Sequence, residues 1–97
     1  MSLQIMSSPS DKSSRTAFHL RAVVAPDVMS RCLELMAKRN MVPVYWHAEV
    51  VGDVLEIAFE LEGIDAHLEA YMAECLRRIV NVETVVTSRA ASRQKQA

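Results

Sequence analysis

Two hydrophobic periods alternate along this chain. From Ala17 to Val24 every second position is apolar: Phe18, Leu20, Ala22 and Val24 share one face, and His19, Arg21 and Val23 share the other, which is the period of a strand. The pattern breaks at Ala25-Pro26-Asp27, where Pro26 suits the first turn of a helix and Asp27 suits a cap, so either residue can mark the start. Met29, Cys32, Leu33 and Met36 then recur at helical spacing, with Arg31, Glu34 and Lys38 outward. Glu34 and Lys38 stand four apart in the order that favours an ion pair. Asn40 is a natural end for this helix, because Asn tolerates the left-handed conformation that follows a last helical turn.

A second alternating stretch carries Val44, Trp46, Ala48 and Val50 on one face and Pro43, Tyr45, His47 and Glu49 on the other. After Gly52-Asp53 a third stretch places Leu55, Ile57, Phe59 and Leu61 together. A two-residue loop with Gly first is a recognised hairpin turn. If Val51 and Val54 flank it, Val50 falls opposite Leu55, Ala48 opposite Ile57 and Trp46 opposite Phe59. The apolar faces then match, and a slip of one residue would spoil all three pairs. The same register opposes Glu49 to Glu56, an arrangement that needs a nearby cation such as Arg21.

Glu62-Gly63-Ile64-Asp65 reads as a loop with Asp65 as N-cap. Leu68, Met72, Cys75, Leu76 and Ile79 define a second amphipathic helix, on which Glu74 and Arg78 form another i, i+4 pair. Asn81 helps turn the chain into a last strand from Val82 to Thr87. The order βαββαβ predicts an α+β, ferredoxin-like domain: a four-stranded antiparallel sheet, strands in the order 4-1-3-2, with both helices on one face.

Residues 1–15 are Ser-rich and aperiodic and read as a disordered leader, 16–88 as the domain, and 89–97 as a polar, fraying tail. Met6 opens a second possible start, so the five residues before it read either as vector sequence or as an earlier start. A net charge of −1 leaves no field to recruit nucleic acid or an acidic membrane. Two Cys make no disulfide framework, no secretory signal is present, and no apolar run spans a bilayer, so a cytoplasmic location is expected.

Candidate chemistry is sparse. His19 and His47 project from the open sheet face on strands separated by a third, about 10 Å apart at 4.8 Å per strand, too far to share a metal. His67 lies on the other side, so no metal site is expected. Cys32 and Cys75 fall on helix core stripes and read as structural thiols. The open face offers Tyr45 as its one aromatic among His19, Arg21, His47, Glu49, Glu56 and Glu60, which is a poor RNA platform. Gly52 and Gly63 open no helix and build no phosphate cradle. No nucleophile, base and oxyanion arrangement stands out, and no enzymatic activity is expected. The start of the first helix, Ala25-Pro26-Asp27-Val28, presents backbone N–H groups that suit a carboxylate; a helix start without a ligand explains it equally well.

The run FHLRAVVAPDVMSRCLELMAKRNMVPVYWHAEVVGD, followed by LEIAFELEG, resembles an ACT domain and looks most like the small regulatory subunits of acetolactate synthase. The shared features are the strand Leu20 to Val24, Pro26 at the helix start, and the basic pair before a turn at Lys38-Arg39-Asn40. The resemblance runs from Phe18 to Thr87. It implies a regulatory or accessory subunit of branched-chain amino-acid synthesis, pairing as a homodimer and acting through a larger catalytic subunit. Thiamine diphosphate and magnesium would belong to that subunit, so this chain needs no cofactor. In the family an amino acid is held between copies, by the loop after the first strand and the start of the second. By position that implies Pro26, Asp27 and Val28, with Asn40, Met41, Val42, Pro43 and Val44. Many ligand-binding members carry Gly after the Pro; here Asp27 stands there, and its carboxylate would repel that of a ligand. A ligand-free scaffold of the same fold is therefore the alternative expectation.

Overall fold

The computed structural model describes residues 14–89. Six elements follow in the expected order: β1 (Arg15–Val23), α1 (Asp27–Lys38), β2 (Tyr45–Val51), β3 (Val54–Glu62), α2 (Ala66–Arg77) and β4 (Val82–Arg89). The strands form one sheet in the order β2-β3-β1-β4, and every neighbouring pair is antiparallel. β1 starts at Arg15 and β4 runs to Arg89; the expected disorder of the leader and tail otherwise lies outside the described residues.

The hairpin has the register its apolar faces demand, with Val50 opposite Leu55, Ala48 opposite Ile57 and Trp46 opposite Phe59. Gly52 takes a φ of +66°, which a two-residue loop with Gly first requires. Glu49 and Glu56 do oppose each other, and each has a separate partner. Arg21 Nη1 donates to Glu56 at 2.9 Å, and the His47 ring lies 3.0 Å from Glu49.

The core lies between one sheet face and the two helices. Phe18, Leu20 and Ala22 of β1 and Leu55, Ile57, Phe59 and Leu61 of β3 are buried there with Val28, Cys32 and Met36 of α1 and Met72, Ala73 and Leu76 of α2. The Phe59 ring stacks between Phe18 (centroids 4.9 Å apart) and Trp46 (5.8 Å).

The helix ends follow different chemistries. Asp65 caps α2, its carboxylate accepting from Leu68 N–H at 2.8 Å. The N-cap of α1 is Pro26, with no side-chain cap. Asp27 is not the cap expected of it: it is the first helical residue, and its carboxylate is taken by Arg31 Nε at 3.0 Å, one turn along. At the far end Asn40 sits at φ +61°, with Met41 N–H bonded to Met36 O (2.9 Å) and Asn40 N–H to Ala37 O (3.0 Å). This pair of bonds closes a helix on a left-handed residue.

Three expectations need correction. The buried stripe of α1 runs through Val28, Cys32 and Met36, while Leu33 is exposed, because the centre of the stripe lies one position earlier than Met29 and Leu33 imply. Val24, Val44 and Val50 alternate like core residues yet are exposed, since Val24 lies past the end of β1 and the other two flank or occupy an edge that neither helix covers. Glu74 pairs with Arg77 at 3.5 Å and not with Arg78, which lies past the end of the helix and lines the groove against α1.

Candidate functional site

The residues implied as ligand-binding form two groups at opposite ends of the molecule. β1 and β2 both run antiparallel to β3, so Val23 and Val51 meet Val54 at one end, while Ala17 and Tyr45 meet Glu60 at the other. Pro26, Asp27 and Val28 therefore stand at the Val54 end, and Asn40 to Val44 at the Glu60 end. The twelve residues of α1 separate them by about 18 Å. One copy of the chain does not bring the two groups together.

Within the first group Pro26 is exposed, and Val28 is fully buried with its side chain in the core. The Val28 N–H makes a long 3.4 Å bond to Ala25 O. The Asp27 carboxylate is bound to Arg31, and the Ser30 hydroxyl donates to Asp27 O at 3.2 Å. In the second group Val42 is 81% exposed, Met41 packs against the core, and Val44 N–H bonds to Glu60 O at 2.9 Å.

The open sheet face carries a depression of about 380 Å³ floored by Ala58. His19 and His47 both stand opposite Ala58 in register, two strand spacings apart. The Arg21–Glu56 and His47–Glu49 pairs wall it. Sequence reasoning put both histidines on this face but missed the depression; its signal is one small outward residue between Glu56 and Glu60. A second hollow, of about 440 Å³, lies between α1 and α2 and was also missed. Cys75 lines it and is only half-buried, whereas Cys32 is fully buried and burial pushes its thiol up to about 11. Among the described residues no helix is long and apolar enough to cross a membrane.

Sheet order, helix placement and hairpin register together define a ferredoxin-like α+β domain. Within that class the sequence matches the ACT-like domain family over residues 9–94, and the chain belongs to it. No curated protein matches significantly. In three dimensions the chain is similar to the ACT domain of a GTP pyrophosphokinase from Chlorobium tepidum, with a TM-score of 0.67 at 8% identity, covering 76% of this chain and 96% of that one. It is also similar to the C-terminal domain of MgtC from Mycobacterium tuberculosis (TM-score 0.65, 10% identity, 78% of this chain and 86% of that one). A homoserine dehydrogenase from Thiobacillus denitrificans shares the fold at a TM-score of 0.64 and 13% identity, over 84% of this chain but 19% of that larger one.

Proposed function

We propose that this chain is a regulatory subunit that pairs through its β2 edge, binds an amino acid between the two copies, and biases the conformation of a larger enzyme. The observation that carries the reading is the state of β2. It is an edge strand with no buried residue, and Tyr45, Val50 and Val51 are exposed. No Lys, Arg or Pro within it discourages pairing. Antiparallel pairing of two β2 edges would bring Val42 and Pro43 of one copy to the end of the sheet where the other carries Pro26 and Asp27. The two separated groups would then form one site. A catalytic partner in branched-chain amino-acid synthesis, such as acetolactate synthase, is supported by the sequence resemblance. Regulation would follow from a difference in the domain's affinity for two states of that enzyme.

A thermal-shift panel of the full chain against the common amino acids tests the sensor. A ligand at 100 times its Kd adds about 2.7 kcal/mol, about 10 °C or more in a domain of this size. A shift confined to valine, leucine or isoleucine is expected; a flat panel overturns amino-acid sensing. The ligand-free scaffold is favoured by one observation, the Asp27 carboxylate at the α1 N-terminus. If Asp27 blocks the site, Asp27→Gly creates or strengthens amino-acid binding and frees Arg31 to meet the ligand carboxylate. Unchanged affinity would show that Asp27 is no obstacle.

A further inference from the structure

The α1–α2 groove is where the charge pairing of the molecule breaks. Eight Lys and Arg residues are described. Six of them, Arg15, Arg21, Arg31, Lys38, Arg77 and Arg89, lie within 3.6 Å of a carboxylate. The other two, Arg39 and Arg78, have no carboxylate partner among the described residues, and both line this groove. Arg31 and Lys38 line it too, and its one acidic residue, Glu34, is already paired with Lys38 at 3.6 Å. A chain with a net charge of −1 thus holds a positive groove.

Arg39 is held in position without a counter-ion. Its guanidinium lies 4.9 Å from the Tyr71 ring centroid, donates to the Tyr71 hydroxyl, and makes a long 3.4 Å bond to Leu35 O. Arg78 makes no side-chain hydrogen bond within the described residues. Between these cations the lining is apolar: Leu35 and Ile79 are half-buried, and Val80 is 69% exposed.

The two properties constrain the occupant together. A small anion would leave Leu35, Ile79 and Val80 wet, and an apolar segment would leave Arg39 and Arg78 unpaired. An acidic amphipathic helix supplies both, because carboxylates three or four residues apart share a face and can flank an apolar stripe. Nucleic acid fits less well, since the one aromatic ring beside the groove, Tyr71, is already covered by Arg39.

We propose that the α1–α2 groove docks an acidic amphipathic helix of a partner protein, with Arg39 and Arg78 taking its carboxylates and Leu35, Ile79 and Val80 its apolar stripe. The inference rests on the reading of the chain as an accessory subunit, but needs neither the β2 dimer nor an amino-acid ligand. The two readings therefore fail separately: a flat amino-acid panel leaves peptide docking intact, and lost docking leaves dimer formation intact.

The test uses the full chain and a fluorescent synthetic helical peptide with Glu residues at i and i+4 flanking a leucine stripe. The same peptide with Gln for Glu and a fluorescent RNA oligomer serve as competitors. Micromolar binding is expected, falling at least tenfold in Arg39→Gln/Arg78→Gln and weakening with salt. Arg78→Gln alone, which removes no ion pair or side-chain hydrogen bond among the described residues, should already weaken it. Bound peptide should also slow alkylation of Cys75, the accessible thiol in the groove. Absence of binding, equal affinity of the Gln peptide or of the double variant, an unchanged Cys75 rate, or tighter binding of RNA would each overturn the proposal.

Discussion

The sheet has two edges, and they are finished differently. β4 is tied down from several sides: Arg77 Nη2 donates to Val85 O at 3.2 Å, the Thr87 hydroxyl donates to Glu69 at 2.6 Å, and Arg89 reaches both Glu69 (2.8 Å) and Ile64 O (3.0 Å). Val85 is buried beneath α2, and a register shift between Arg21 and Ala22 of β1 adds local twist. β2 has none of this. It holds to the domain through β3 and through Trp46 against Phe59, and its outer backbone has no partner among the described residues. A free, apolar edge is a liability unless it has a partner, so the contrast supports the proposed pairing at β2 rather than at β4.

Four changes would break or sharpen that contrast. The largest effect is expected at Phe59, the fully buried ring that joins β2 to the core. Phe59→Ala should cost about 3–5 kcal/mol in chemical denaturation and loosen β2 first. Next is Val50→Lys on the free edge, where the valine is 56% exposed and contributes little to the monomer. Sedimentation should show the dissociation constant of the proposed dimer rising about a hundredfold. Val86→Lys, at an equally exposed valine on β4, should leave it unchanged, and equal effects at the two sites would remove the distinction between the edges.

Third, Glu69→Ala strips Thr87 and Arg89 of their shared acceptor and should cost about 1–3 kcal/mol. Hydrogen exchange should accelerate in β4 and not in β2. The smallest effect concerns pH. Burial lifts the Cys32 thiol from an ordinary 9.0 to about 11, so the folded chain holds this proton more tightly than the unfolded one. Its contribution is full below pH 9 and is lost as pH rises towards 11. Denaturation midpoints over that window should fall with a slope of up to one proton, and the slope should shrink in Cys32→Ala.

Much of this fold was legible because its signals are local. The hairpin register follows from three apolar pairs and one glycine turn. The cap at Asp65 and the helix end at Asn40 follow from side chains acting within a turn of themselves. The phase of the α1 stripe was not legible, since Met29 and Leu33 are as apolar as Val28, and packing alone selects among them. The candidate ligand residues were named by resemblance, and their separation by the length of α1 emerged only when the chain was folded.

The sequence by itself determined the order of elements, the strand pairing and the inward faces of β1 and β3, because each depends on periodicity and turn chemistry over a few residues. The tertiary structure alone decided which edge stays open, where Arg78 points, and how Arg39 comes to rest on Tyr71, 32 residues away. Those outcomes depend on contacts between segments distant in the chain, and no local pattern of residues encodes which surfaces will meet.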